Sequence, residues 1–196
     1  GHWPRAKQDP VVQSRCIGLV KLGFFVLAVD AFGAGERGLT KSLGEYHGEM
    51  VAATLLPVGL PLCGLQVYEN MRAVDYLLTR DDVDGSRLAV TGTSGGGFQA
   101  LYLGALDTRI AAVLPSCFPT ALPMRMANRI FEDPDSDPEQ DPPGLVSEGI
   151  DHPGLLLLAY PRPLHVSAAV LDFFPIEGAR RSMREVAAFY RRFGHG

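Results

Sequence analysis

The apolar positions change period several times along the chain, and each change marks an element. From Pro10 to Leu22 the residues Val12, Cys16, Leu19, Val20 and Leu22 recur at helical spacing, and Gly23 supplies the stop. Phe24 to Val29 is a continuous apolar run rich in β-branched and aromatic residues, which predicts a buried strand. A glycine-rich loop, Asp30 to Gly38, follows it. Leu62 to Thr79 predicts a helix with Leu65, Tyr68, Met71, Val74 and Leu78 along one face, and Asp81 to Ser86 predicts a turn. Arg87–Thr91 predicts a strand, Gly95–Leu106 a helix, Ile110–Leu114 a strand, Pro163–Leu171 a strand and Ile176–Phe193 a closing helix.

Strand alternating with helix at this rhythm predicts βαβ units, hence an α/β fold with a doubly wound, mostly parallel sheet and flanking helices. In such sheets the chemistry collects at the carboxyl ends of the strands. One segment breaks the rhythm. Ser116 to Pro153 carries prolines at 119, 123, 134, 138, 142, 143 and 153, with an acidic middle from Glu132 to Asp141, and is read as a lid-like insertion within one domain spanning 1–196.

Composition narrows the function classes. With 196 residues, 46% of them hydrophobic, and a formal net charge of only −4, the chain has enough apolar surface for one packed core, and disorder is excluded. There is no Lys/Arg cluster before the final helix, so no nucleic-acid partner is expected. No apolar run reaches the length of a membrane span, so no membrane partner is expected either. Cys16, Cys63 and Cys117 are odd in number and widely spaced. They suggest neither a metal site nor a disulfide framework, and read as small buried residues.

The strongest chemical signal lies between a predicted strand and a predicted helix. Arg87–Thr91 leads into Gly92-Thr93-Ser94-Gly95-Gly96-Gly97, and the helix starts at once. This is G-x-S-x-G in the strand–turn–helix setting that exposes a serine hydroxyl at a sheet edge. The tight turn strains the serine backbone and tolerates only small neighbours. The helix N-terminus brings unpaired N–H groups beside Ser94, and the Gly95 N–H is the first candidate oxyanion donor. The spacing does not supply the G-x-G-x-x-G of a dinucleotide turn or the Gly-Lys-Ser/Thr of a phosphate loop.

A serine nucleophile needs a base and an orienting acid, in the chain order serine, acid, histidine for this architecture. Asp172 follows the predicted strand Pro163–Leu171 and is the candidate acid; a turn aspartate is the structural alternative. The loop acids Asp133, Asp135, Asp137 and Asp141 are delivered by no strand. None of the five histidines is a convincing base. His2 and His47 precede the serine, and His152 precedes Asp172 within the Pro-rich segment. His165 falls inside a strand as a packed core residue, and His195 directly follows a helix.

On these residues the chain resembles α/β-hydrolases of the acetyl-xylan-esterase-like type, related to dienelactone hydrolases and to prolyl-oligopeptidase-like catalytic domains. The resemblance rests on Gly1-His2-Trp3-Pro4, on Gly23–Val29 with Asp30-Ala31-Phe32-Gly33-Ala34-Gly35-Glu36-Arg37-Gly38, and on the Gln66–Arg80 helix. It rests also on Val83–Arg87 before the serine turn and on Ala169–Glu177 around Asp172. It implies Ser94 as nucleophile, Asp172 as acid, and an oxyanion hole from the backbone N–H groups of Gly95 and Trp3. It implies acyl-enzyme chemistry on small acyl esters, above all acetylated carbohydrate, with no metal or organic cofactor. It also implies a triad histidine in a His-Gly element past a further strand, so the base is expected beyond residue 196. The segment is then expected to be cut at both ends and to have little activity alone. A peptidase of the prolyl-oligopeptidase type and a non-catalytic hydrolase-fold domain remain open alternatives.

Overall fold

A computed structural model describes residues 5–38, 49–127, 137 and 139–195. The chain divides into two compact units, Gly1–Val83 with Asp137–Glu139, and Asp84–Ser136 with Gln140–Gly196.

The first unit is built on helices α1 (Pro10–Lys21), α2 (Glu49–Leu55) and α3 (Leu62–Leu78). Asp9 caps α1 by accepting from the Val11 N–H at 2.9 Å, and Pro10 occupies the first helical position, where a missing N–H costs nothing. The buried face of α3 is Leu62, Cys63, Gln66, Val67 and Val74. The predicted stripe is therefore rotated: Tyr68 and Leu78 are exposed. The predicted strand Phe24–Val29 is also corrected. The segment is extended but joins no strand ladder among the described residues, and Phe24, Phe25, Leu27 and Val29 are exposed. A continuous apolar run becomes a buried strand only when neighbours take its backbone groups on both edges; here Phe25 packs instead under the Arg80 guanidinium, 4.8 Å from the ring centre.

The loop after it is held by a buried carboxylate. Asp30 accepts from the Lys7 N–H (2.9 Å), Lys7 Nζ (2.7 Å) and the Glu36 N–H (3.2 Å). Burial alone would raise its pKa, but these donors outweigh burial and hold Asp30 below the usual carboxylate range. Arg37 binds Glu69 of α3 through both guanidinium nitrogens and lies over Phe32. The Asp-x-Phe-x-x-x-Glu-Arg pattern is thus the wiring of one Ω-like turn.

The second unit holds the sheet. Strand β1 (Leu88–Thr93) pairs in parallel with β2 (Ile110–Ser116), and α4 (Gly95–Leu106) connects them. α4 packs close on the sheet because Gly104 lacks a side chain: a Cβ there would fall 2.5 Å from both methyls of Val113. The far edge of β2 takes a third parallel segment. Val113 N–H donates to Pro163 O (3.0 Å), His165 N–H to Val113 O (3.0 Å), Ser167 N–H to Pro115 O (3.1 Å) and Cys117 N–H to Ser167 O (2.8 Å). The predicted strand Pro163–Leu171 is real only this far. β2 ends at Ser116, so residues 168–171 have no ladder to join and are exposed, Leu171 at 93%.

Helices α5 (Leu122–Ala127), α6 (His152–Leu157) and α7 (Ile176–Arg192) complete the unit. The described flanks of the Pro-rich segment are packed core: Phe118, Pro119, Thr120, Ala121, Arg125, His152 and Pro153 are all buried. Residues 128–136 and 138, with Asp133 and Asp135, lie outside the described residues.

Candidate active site

Ser94 sits between the last residue of β1 and the first of α4, with φ 58° and ψ −120°. A positive φ on a residue with a Cβ costs of order 1–3 kcal/mol and persists only where the surroundings impose it. Here they do. The Ser94 N–H donates to Ser116 O at 3.0 Å, and the Ser94 carbonyl accepts from the Phe98 N–H at 2.9 Å. Two glycines permit the approach. A Cβ on Gly92 would lie 2.1 Å from Gly96 O, and one on Gly97 would lie 2.4 Å from Ser116 O. Ser94 is half-buried, and its side chain makes no capping bond to α4. The N–H groups of the first helical turn, Gly95 first among them, therefore have no intrahelical acceptor and lie at the positive end of the helix dipole.

Asp172 lies in the loop after the third parallel segment, so both candidate groups stand at carboxyl ends of strands of one sheet, with β2 between them. Its carboxylate lies beside the Cys117 thiol, and Oδ2 is a buried atom with no hydrogen-bond partner among the described residues. The loop itself is anchored. Phe174 packs edge-on against Phe118, and Thr120 Oγ1 donates to Pro175 O at 2.9 Å. Ser182 Oγ of α7 donates to Thr120 O at 2.6 Å. Arg125, 1% exposed, places its guanidinium 5.0 Å from the Phe174 ring and 5.7 Å from Phe173, and pairs with Asp141 at 3.5 Å. Buried charges need such partners.

The histidines are distributed elsewhere. His152 is a core residue: its Nδ1 accepts from the Thr120 N–H at 3.0 Å and its ring lies 4.7 Å from Phe118. Burial pushes its pKa down to about 4, so near neutral pH it is an uncharged acceptor. His165 was expected in the core and is instead exposed. Strand alternation explains the difference, since Leu164 and Val166 take the covered face and His165 the other. His195 donates its backbone N–H to Tyr190 O and sets its ring edge-on to Tyr160. His2, His47 and Trp3 lie outside the described residues. No group of three or more His, Cys, Asp or Glu among the described residues could hold a metal ion, and no helix there is long and apolar enough to cross a membrane.

Residue spacing did not single out Ser116, Cys117 or Arg125. Ser116 ends β2 beside the serine turn and Cys117 follows it, and that position at a carboxyl end is the signal that could have found them. Cys117, expected as a buried packing residue, is half-buried with φ 48°. Burial first, and then the neighbouring Asp172, raise its thiol pKa.

Comparison with known proteins identifies the scaffold. A sequence profile of the Abhydrolase family matches residues 5–138, about two thirds of the chain and including the whole serine turn. The chain belongs to the Abhydrolase family. Among curated proteins, a provisionally assigned hydrolase of Bacillus subtilis, YtaP, is 35% identical over 99 residues, covering 50% of this chain and 31% of that one. Among solved structures, a provisionally assigned acetyl xylan esterase of Bacteroides fragilis superimposes with a TM-score of 0.77 at 23% identity, over 100% of this chain and 51% of that one. A glucuronoyl esterase of Teredinibacter turnerae gives 0.55 at 19% identity, over 83% of this chain and 40% of its own. At these identities the structural likeness is one of fold, and it makes the sheet described above part of an α/β-hydrolase fold. This abhydrolase chain spans about half the length of the Bacteroides protein and about a third of the Bacillus one. The profile match ends before Asp172.

Proposed function

We propose that this chain carries the nucleophile and acid of a serine carboxylic-ester hydrolase. In this reading Ser94 Oγ attacks the ester carbonyl, and the alcohol leaves. The acyl group stays on the serine until water releases it. The observation that carries the proposal is the strained Ser94 backbone at a strand–helix junction, beside N–H groups that have no helical acceptor. Gly95 N–H is the first oxyanion donor and Trp3 N–H the second. Asp172 orients and stabilises the base, and its unpartnered Oδ2 is an acceptor of the kind an imidazole N–H requires. The proposed substrates are small acyl esters, foremost acetylated carbohydrate. The Bacteroides protein, described as an acetyl xylan esterase, and the Teredinibacter protein, described as a glucuronoyl esterase, support an ester substrate by fold.

One observation favours a second reading, a hydrolase-fold domain without chemistry. None of the three described histidines is hydrogen-bonded to Ser94 or Asp172. The same experiment separates the two. Hydrolysis of p-nitrophenyl acetate and labelling by a fluorophosphonate probe are compared in a protein that carries this chain together with the expected triad histidine and in its Ser94→Ala variant. The proposal expects labelling confined to Ser94 and turnover at least about a hundredfold lower in the variant. Equal behaviour of the two proteins leaves the non-catalytic reading standing. Acetate release from acetylated xylan then tests the substrate class.

A further inference from the structure

One buried residue ties the loop that carries Asp172 to the rest of its unit. Between Ser167, bonded to β2, and Pro175, at the start of α7, residues 168–174 make no backbone–backbone hydrogen bond among the described residues, and Val170 and Leu171 are exposed. The loop is therefore placed by its two ends, and Asp172 stands nearer the second, three residues before Pro175. Thr120 holds that end; it is fully buried and all of its polar groups are bonded. Its N–H donates to His152 Nδ1 at 3.0 Å, its Oγ1 donates to Pro175 O at 2.9 Å, and its carbonyl accepts from Ser182 Oγ at 2.6 Å. Pro175 O also accepts the N–H groups of Gly178 (3.1 Å) and Ala179 (3.2 Å), so the threonine hydroxyl and the first turn of α7 share one acceptor. The approach needs a glycine: a Cβ on Gly178 would lie 2.1 Å from Thr120 Oγ1 and 2.7 Å from the Ala121 nitrogen. Glycine is disfavoured in a helix against alanine, and here it is what lets the helix close on the hydroxyl. Phe174 adds an edge-on ring contact with Phe118, but an apolar contact sets no hydrogen-bond direction, whereas the Thr120 hydroxyl does.

We propose that Thr120 is a positioning residue for Asp172: by donating to Pro175 O, its hydroxyl fixes the end of the loop and with it the orientation of the carboxylate toward the triad imidazole. The inference rests on Asp172 being the triad acid. A triad acid works only in the orientation that meets the imidazole N–H, and a displacement of about 1 Å is enough to cost a large factor in rate. His152 supports the arrangement, since only an unprotonated Nδ1 accepts the Thr120 N–H.

Two measurements test it on the protein that carries this chain together with the expected triad histidine. In the first, kcat/KM for p-nitrophenyl acetate is followed against pH in Thr120→Val, which removes the donor, and in Thr120→Ser, which keeps it. Valine is expected to lower kcat/KM about tenfold and to move the acid limb to lower pH by about half a unit or more, because a misplaced carboxylate stabilises the imidazolium less. Serine is expected to restore both. A loss of folded protein alone lowers the amplitude and leaves the limb in place. A valine variant with the wild-type limb, or a serine variant no better than valine, therefore overturns the role. Thr120→Ala serves in the same way if the valine variant does not fold. In the second, hydrogen exchange is followed at Gly178 and Ala179, whose N–H groups meet Pro175 O, with the Phe98 amide of α4 as reference. Valine is expected to speed exchange at the pair several-fold and to leave Phe98 unchanged. Equal protection in wild type and variant overturns the anchor. A wild-type protein without Ser94-dependent turnover removes the triad reading, and the positioning role falls with it, whereas the exchange result still decides the anchor.

Discussion

Ser94 and its glycine neighbours form a unit in which the fold maintains a conformation the residue itself disfavours. Removing the hydroxyl leaves that geometry intact, whereas crowding the turn does not. Gly92→Ala places a methyl 2.1 Å from the Gly96 carbonyl, a backbone atom that cannot swing aside. We expect Gly92→Ala to lower stability by about 2 kcal/mol or more, or to prevent folding, with the drop read from urea melts. Ser94→Ala should change the melt by less than about 1 kcal/mol. A Gly92→Ala protein as stable as wild type would mean that the turn is wider than described. At this scale much was legible in the sequence. Only small residues fit such a turn, so its glycines announce the strained position. The neighbourhood of Asp172 was not legible, because Cys117 and Arg125 reach it from 55 and 47 positions earlier in the chain.

Among the elements, α4 and α7 are held by contacts whose loss has a definite sign. Gly104→Ala would drive a methyl into both γ-methyls of Val113, which lies on the central strand and is fully buried. An overpacking cost of about 1–3 kcal/mol is expected in denaturant unfolding. Ser182→Ala deletes the 2.6 Å bond to Thr120 O and leaves a buried carbonyl without that donor. The expected loss is about 1–2 kcal/mol. Because Thr120 also holds Pro175 O, the acid loop should loosen as well, which faster hydrogen exchange at Asp172–Pro175 would register. Helices were the most legible elements: their caps and periods are local, and the bounds of α4 and α1 follow them closely. Strands were less so. Whether Phe24–Val29 or residues 168–171 join a ladder depends on a partner, and no local pattern records where a partner strand ends.

At the scale of the molecule, His152 is a strong source of pH-dependent stability among the described residues. His152 titrates at about 4 when folded, against about 6.5 when exposed in the unfolded chain. Below pH 6.5 the unfolded chain takes up a proton that the folded one refuses. Stability contributed by the neutral ring is thus complete above pH 6.5, falls as pH drops from 6.5 toward 4, and falls no further below that. The loss is on the order of 3 kcal/mol across the window. Urea unfolding at pH 7.0 and pH 4.5 should show most of it, and His152→Gln should flatten the difference while lowering stability at pH 7. A variant with the wild-type slope would place the titrating group elsewhere.

The alternation of strand and helix, the βαβ rhythm and the serine turn were determined by the sequence alone, because each follows from side-chain period, backbone sterics or capping within a few residues. The tertiary structure decided what depends on distance along the chain. It ended the third segment where β2 ends, moved His165 to the surface and His152 to the core, and set the Cys117 thiol beside Asp172. The physical reason is common to all four: ladder partners, burial and charge neighbours are supplied by residues tens of positions away, and only folding brings them together.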